Sequence, residues 1–321
     1  MTIQHLVISG GANIGFPFFG IIKTLLDEAF FTMNNIKTIY CTSIGTLIAV
    51  LLTIQYDMET MRIFMTDRPW DQVYKVDFHS IVRAIQEGGM FDKRTIINTM
   101  KPLLLGNDLS LDITLEEYYA YCQKEIHFFT TEYATLELVD ISHKTHPHWK
   151  LVDAVYASSC LPVLMDPFFI DGHYYIDGGV LKNYPLKQCI DAGADPNTIL
   201  GLFHNTNKLN KALRMASPFT ENPSSYRLFE YLYSFTMKMW TLIKHHKTQE
   251  EESVPYQIPV ECDTSFLRLL ETFQSKALRN DLIEDGIAQA HLFLERQKEK
   301  RELIRMTEED CERNTPRQTQ L

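Results

Sequence analysis

The sequence predicts an α/β fold in which helices cover a parallel β-sheet. Three observations lead to this prediction: two strand-then-helix units open the chain, small residues separate strand from helix in both, and buried-strand segments recur further along. Alternation of strands and helices is typical of a parallel sheet, because parallel neighbours need a crossover connection. Ligands in such sheets bind at the carboxyl ends of the strands.

The two opening units have well-marked limits. In the first, an apolar strand over residues 5–9 stops at two glycines, and a helix is predicted over residues 15–29. In the second, an Ile/Tyr-rich strand over residues 36–40 is followed by a nearly continuous apolar helix over residues 43–55. Both units therefore place a turn of small residues at the same edge of the sheet.

The rest of the chain continues the mixed pattern. Punctuation by Pro and Gly separates the segments. We predict helices over residues 58–64, 78–86, 95–105, 149–160, 185–192 and 274–301, strands over 125–131, 136–142 and 198–204, and a hairpin over 168–176 that turns at Asp171-Gly172.

Residues 226–247 form a predicted helix with a wide apolar face, because the polar positions follow helical spacing. One interpretation is a core or interface helix. The other is a helix that docks on lipid, with Lys238, Lys244 and Lys247 near the headgroups. Residues 302–321 are polar, and we expect them to be disordered.

Composition excludes several functional classes. The net charge of −10 argues against nonspecific attraction to nucleic acid or to an anionic membrane, so any membrane contact must be local. The six cysteines show no CxxC spacing, which argues against a zinc ribbon or a disulfide framework. No secretory signal or membrane span is evident, and we expect an intracellular protein.

Ser43 is the first candidate catalytic residue. The stretch Tyr-Cys-Thr-Ser-Ile-Gly over residues 40–45 approximates the Gly-x-Ser-x-Gly elbow, with Cys41 in place of the first glycine. A serine on such a turn points away from the sheet and can act as a nucleophile. The alternative is an ordinary strand-to-helix corner.

A serine attacks a carbonyl only when a base takes its proton and donors stabilise the oxyanion. Backbone amides of the small-residue loop over residues 9–15, after the first strand, are candidate donors. A nucleotide-phosphate loop is the competing interpretation, but no Gly-x-Gly-x-x-Gly pattern is present. None of the eleven histidines lies in a convincing motif, so the candidate base is Asp177, although Asp-Gly-Gly is also an ordinary turn.

The three motifs, taken in order, resemble the patatin-like phospholipases. That family has a glycine-rich loop after the first strand, a serine elbow after the second and a late Asp-Gly-Gly. Residues 157–162 (Ala-Ser-Ser-Cys-Leu-Pro), 175–180 (Tyr-Ile-Asp-Gly-Gly-Val) and 183–185 (Asn-Tyr-Pro) are similar to the block around the family's aspartate, and 89–92 (Gly-Met-Phe-Asp) to its mid-domain loop. The resemblance covers residues 1–205.

This resemblance implies the family's three-layer fold, with helices on both faces of a mostly parallel central sheet. It also implies hydrolysis of fatty-acyl esters of phospholipids or neutral lipids through an acyl-enzyme, at a membrane surface, without calcium, a metal site or a cofactor. The implied roles are Ser43 as nucleophile, Asp177 as base, Gly10, Gly11 and Ala12 as the oxyanion hole, and Gly15, Gly45, Gly178 and Gly179 as supporting positions. We expect a catalytic domain over 1–205, a helical extension over 206–300 that packs on it or continues it, and a tail over 301–321.

The chain departs from the family pattern at three positions. Ala12 replaces the third glycine of the loop, Ile14 stands where the family usually has Arg or Lys, and Cys41 replaces the first glycine of the elbow. The departures at Ile14 and Cys41 motivate an alternative function, a weak or inactive relative that binds lipid or a protein partner. A transacylase is a third possibility.

Overall fold

A computed structural model describes residues 2–205, 227–247 and 253–314 of the chain. The strands are β1 His5–Ile8, β2 Thr38–Thr42, β3 Gly89–Phe91, β4 Glu125–Glu132, β5 Glu137–Ile141, β6 Val163–Met165, β7 Phe168–Ile170, β8 His173–Asp177, β9 Ile199–His204 and β10 Tyr256–Val260.

Helices connect and cover these strands. In chain order they are α1 Gly15–Asp27, α2 Ile44–Thr53, α3 Met58–Asp67, α4 Trp70–Val73, α5 Phe78–Glu87, α6 Lys93–Leu105, α7 Leu115–Cys122, α8 Leu151–Ser159, α9 Gly179–Lys182, α10 Leu186–Asp191, α11 Arg227–Lys247, α12 Phe266–Gln274 and α13 Lys276–Asn314. Short 3-10 turns lie at Ala12–Ile14, Met33–Asn35 and Pro196–Thr198.

The central sheet has the order β10-β9-β1-β2-β4-β8-β7, and β5 also pairs with β4. Each pairing from β10 to β4 is parallel, whereas β5, β7 and β8 are antiparallel to their neighbours. The prediction of a mostly parallel sheet is confirmed. Strands β3 and β6 form a separate parallel pair.

Alternation of side chains along the strands builds a core on each face of the sheet. Leu6 and Ile8 of β1 belong to the larger core, while Val7 between them belongs to a smaller one with Leu186 and Cys189 of α10. Successive residues of a strand point to opposite faces, so apolar runs in β1 and β2 indicate burial on both. The three-layer arrangement with helices on both faces is therefore confirmed.

The register on β4 brings two strand ends together. On β4, β2 pairs with residues 125–129, β8 pairs with residues 130–132, and β5 pairs with residues 128–132. A strand has only two edges, and β5 overlaps both of the others, so β2 and β8 share one edge, end to end. Thr42 lies opposite Phe129 and Asp177 opposite Thr130. The residue after β2 and the last residue of β8 are thereby neighbours.

The C-terminal part of the chain adds to the same sheet and core. Strand β10 pairs with β9, and α13 packs along α1 so closely that a Cβ at Gly286 would lie 2.2 Å from the carbonyl oxygen of Pro17. Helix α13 extends to Asn314, so the predicted disorder of residues 302–314 is wrong. The helical register established against α1 continues into the polar segment. Residues 315–321 lie outside the described ranges.

Among residues 2–205, 227–247 and 253–314, no helix combines the length and the apolar character that crossing a bilayer requires. Within the same ranges, no three His, Cys, Asp or Glu side chains are grouped so as to hold a metal ion.

Candidate active site

Ser43 lies on a strained turn between β2 and α2. Its backbone has φ 53° and ψ −125°, a conformation that costs a non-glycine residue about 1–3 kcal/mol. Three hydrogen bonds hold it: the Ser43 N–H donates to Ser158 Oγ (3.0 Å), Ser158 Oγ donates to the carbonyl of Phe129 (2.5 Å), and Thr46 Oγ1 donates to the carbonyl of Ser43 (2.6 Å). The turn has the geometry of a nucleophile elbow.

The residues on either side of the elbow have different surroundings. A Cβ at Gly45 would lie 2.6 Å from the carbonyl oxygen of Ile8, so α2 approaches β1 too closely for a side chain there. Cys41 instead lies within β2, where its buried Sγ donates to the carbonyl of His127 (3.3 Å). Burial raises the pKa of the Cys41 thiol well above its ordinary value, which makes it an unreactive core residue.

Asp177 lies beside Ser43. Its carboxyl group is buried and accepts a hydrogen bond from the N–H of Gly179 (2.7 Å). The Ser43 side chain lies close enough to this carboxyl group to lower its pKa. Burial raises the pKa of Asp177 to about 7, although the Ser43 side chain and the N–H of Gly179 both act to lower it. A carboxyl group with a pKa near neutrality can both accept and return a proton.

Gly178 allows this contact to form. A Cβ at Gly178 would lie 2.1 Å from the carbonyl oxygen of Phe129, the same oxygen that anchors Ser158. The supports of both Ser43 and Asp177 therefore converge on one peptide group of β4.

The loop after β1 lies beside Ser43, and Gly11 and Ala12 of this loop line the same cavity. Gly11 has φ 143° and Ala12 has φ 54°. In the described part of the chain, the N–H groups of both residues donate to no acceptor. The N–H of Gly10 donates to the carbonyl of Asn183 (3.2 Å), so the expectation for Gly10 is revised. Gly10 instead lets the loop approach Ser43 closely, because a Cβ at this position would lie 2.8 Å from Ser43 Cβ.

Sequence reasoning gave Asn183 and Ser158 no roles, although both lie in the segments that resembled the family block. Asn183 is buried, and its Nδ2 donates to the carbonyl of Gly10 (3.1 Å). Asn183 therefore bonds to both the N–H and the C=O of Gly10 and fixes the loop there. Gly15, the first residue of α1, packs against α2. A Cβ at Gly15 would lie 2.6 Å from Cγ1 of Ile44 and would separate the two helices. The signal for Asn183 was its position six residues after Asp177.

A cavity of about 350 Å³ opens onto these groups, and Ser43, Asp177, Gly11 and Ala12 all line it. Its volume lies within the range of small-molecule sites. Most of the remaining wall is apolar and comes from α1, α2, α3, α6, α11 and α12. Apolar wall residues include Phe16, Ile44, Leu47, Ile48, Leu51, Phe64, Met65, Leu103, Leu161, Leu164, Met237, Phe266, Leu269 and Phe273.

His204 is the one histidine among the described residues that lines this cavity. Its Nε2 lies 3.2 Å from the carbonyl oxygen of Cys262. The carboxyl group beside Ser43 is that of Asp177.

Comparisons with known proteins agree with the geometry. Residues 6–190 match the family model described as patatin-like phospholipase. The chain is similar to the uncharacterized protein R571 of Acanthamoeba polyphaga mimivirus (27% identity, 57% of this chain and 60% of the relative). It is also similar to the probable lipid hydrolase 463L of Invertebrate iridescent virus 6 (25% identity, 58% of this chain and 63% of the relative). The alignments span about three-fifths of these relatives.

Among solved structures, the fold is similar to that of VipD from Legionella pneumophila. The TM-score is 0.52 at 16% sequence identity, over 92% of this chain and 67% of VipD. At this identity the likeness concerns the fold alone.

Proposed function

Because the chain belongs to the patatin-like phospholipase family, we propose that it is a calcium-independent lipid acyl hydrolase with Ser43 as nucleophile and Asp177 as base. The observation that carries the proposal is the position of Ser43 beside a buried carboxyl group with a pKa of about 7, both lining one cavity. This pair faces an apolar cavity, as an enzyme that binds acyl chains requires.

The reaction would proceed in two steps. Asp177 accepts the proton of Ser43 Oγ while this oxygen attacks the ester carbonyl, and the amides of Gly11 and Ala12 stabilise the oxyanion. The tetrahedral intermediate expels the alcohol, which takes the proton from Asp177. Asp177 then accepts a proton from water, which attacks the acyl-enzyme, and the fatty acid leaves as Ser43 regains its proton.

The site of action follows from the chemistry of the substrate. We propose that the enzyme meets a phospholipid or another fatty-acyl ester at a peripheral membrane surface. The described cysteines, Cys41, Cys122, Cys160, Cys189 and Cys262, are free thiols, which supports a reducing, intracellular compartment.

The alternative, a weak or inactive binding protein, rested on Ile14 and Cys41. Both side chains are buried in the large core, and neither lines the cavity. Both departures are therefore compatible with a competent dyad.

Product analysis tests the proposed reaction. The protein is incubated with a phospholipid and neutral-lipid panel, with and without an alcohol acceptor, and the products are identified by mass spectrometry. We expect free fatty acid from wild type and no turnover from Ser43→Ala. Acyl transfer to the acceptor without fatty acid would replace hydrolysis by transacylation, and no product from any lipid would contradict the proposal.

A further inference from the structure

Helix α11 has an inner apolar face that forms part of the cavity wall. Phe229 and Tyr233 are buried, and Tyr233 and Met237 line the cavity that contains Ser43. The hydroxyl of Tyr233 donates to the carbonyl of Thr264 (2.8 Å), which joins the helix to the loop before α12. One side of α11 therefore belongs to the substrate site.

The opposite side of α11 carries a second apolar surface, which we call the outer stripe. It consists of Leu228, Tyr231, Phe235 and Met239, whose exposed fractions are 57%, 40%, 51% and 42%. Their spacing of three and four residues places them on one face of the helix. Four large exposed apolar side chains in a row on a surface helix indicate an interaction site.

The charge of α11 contrasts with that of the whole chain. Arg227 lies four residues before Tyr231 and Lys238 three residues after Phe235, so helical spacing places both beside the outer stripe, while the chain carries a net charge of −10. Glu230 lines the cavity and so belongs to the inner side. Basic residues beside an apolar stripe complement an anionic lipid surface.

We propose that the outer stripe of α11 docks on an anionic lipid surface and that the acyl chain enters the cavity beside the inner face of the same helix. This inference rests on the proposed function, since it concerns how that substrate reaches Ser43. A lipid surface fits the stripe better than a protein partner, because the helix that would touch the bilayer also bounds the cavity that must accept an acyl chain from it.

A double variant on the outer stripe, Phe235→Ser with Met239→Ser, tests the docking surface. Neither side chain lines the cavity. The matched control is Leu292→Ser on α13, where the leucine is exposed to a similar extent, 52%. All proteins are compared in sedimentation with vesicles of phosphatidylcholine alone or with 30% phosphatidylserine, and in hydrolysis of a water-soluble short-chain ester.

We expect wild type to bind the anionic vesicles and the double variant to lose about tenfold or more in vesicle binding, the equivalent of about 1.4 kcal/mol. Hydrolysis of the soluble ester should stay within about twofold, and Leu292→Ser should match wild type in both assays. Lys238→Gln should reduce the preference for anionic vesicles and leave soluble-ester hydrolysis unchanged.

Three results would overturn the inference: wild type that binds no anionic vesicles, a double variant that binds them as well as wild type, or an outer-stripe variant whose only change is the loss of a homodimer in light scattering. The last result would assign the stripe to a second copy of the chain. Vesicle binding by wild type without any ester hydrolysis would contradict the proposed function instead.

Discussion

The carboxyl group of Asp177 sets the pH dependence of the proposed reaction. A general base must be deprotonated, and burial raises the pKa of Asp177 to about 7. We predict that kcat/KM for a soluble ester rises with pH and reaches half its maximum near pH 7. A pH–rate profile between pH 5 and pH 9 measures this, and a flat or falling profile would contradict the assigned role.

The same group affects stability in the opposite direction. The pKa of Asp177 is about 7 in the folded protein, above the ordinary value of 3.8. The free energy of unfolding is therefore highest below pH 3.8, where the carboxyl group is protonated in both the folded and the unfolded protein. Between these values the unfolded chain loses its proton first, and stability falls as the pH rises towards 7. The buried carboxylate therefore destabilises the fold by about 3–5 kcal/mol at pH 8.

Asp177→Asn removes this charge while preserving the shape. We predict that the variant unfolds at a higher temperature than wild type at pH 8 and at nearly the same temperature at pH 4. Calorimetry at both values measures the difference. Asp191→Asn, at an exposed carboxylate, is the control and should show no such pH-dependent gain. Equal melting temperatures of Asp177→Asn and wild type at pH 8 would show that the carboxylate is not buried as described.

At this scale, the motif order was enough to predict a pairing of Ser43 with Asp177, and both residues line the same cavity. The motif order could not show that the N–H of Gly10 donates to the carbonyl of Asn183, or that the N–H of Ser43 donates to Ser158 Oγ. Those bonds join residues more than 100 positions apart, and they depend on the packing of α8 and the loop after α9 rather than on local pattern.

At the scale of elements, long periodic segments were predictable and short ones were not. Helices α1, α2 and α11 and the hairpin of β7 and β8 lie within a few residues of their predicted limits. Strands β3 and β6 have three residues each, too few to show a period, and β10 was not recognised in a segment without a strong alternation. The meeting of β2 and β8 on β4 depends on register, which local sequence does not specify.

Arg279 joins three elements through hydrogen bonds to backbone carbonyls. The buried guanidinium donates to the carbonyl of Thr66 at the end of α3 (3.0 and 2.7 Å), and to those of Thr272 and Phe273 in α12 (both 2.9 Å). Helix C-termini leave such carbonyls without partners, and Arg279 satisfies them from the first turns of α13.

Arg279→Met should therefore lower the free energy of unfolding by about 3 kcal/mol, since it leaves buried acceptors unsatisfied. Arg296→Met, at an exposed position of the same helix, should change it by less than about 0.5 kcal/mol. Urea denaturation measures both variants. Equal effects of the two substitutions would mean that Arg279 does not hold the three helices together.

At the scale of the whole molecule, α2 runs from Ser43 along the wall of the cavity. Ile44, Leu47, Ile48 and Leu51 line the wall in order from Ser43. Eight residues at 1.5 Å each place Leu51 about 12 Å along the helix from Ser43. The far end of a long acyl chain should therefore pass Leu51, while a short chain should not reach it.

Leu51→Trp tests this layout. We predict that kcat/KM for a dodecanoyl ester falls by about tenfold or more, while that for a butanoyl ester stays within about threefold. Ile63→Trp, at an exposed position of α3, is the control and should alter neither. A parallel loss for both chain lengths would contradict the assignment of this wall to the acyl chain.

The fold class was predictable at this scale because the alternation of strands and helices, together with the motif order, limits the architecture. The cavity was not, because α11 and α12, which close it, lie beyond the segment that resembled the family. Tertiary packing also explains why the polar end of α13 is helical. The contacts of α13 with α1 nucleate a helix, which then continues into a segment whose composition alone disfavours it.

The most direct test of the central claim is labelling with a fluorophosphonate, followed by mass spectrometry to identify the modified residue. A nucleophilic Ser43 with Asp177 as its base predicts modification of Ser43 in wild type and no modification of Ser43→Ala. Asp177→Asn should be labelled about 10²–10⁴-fold more slowly. Absence of label at Ser43 in a protein that hydrolyses lipid, or equal labelling rates for Asp177→Asn and wild type, would contradict the account.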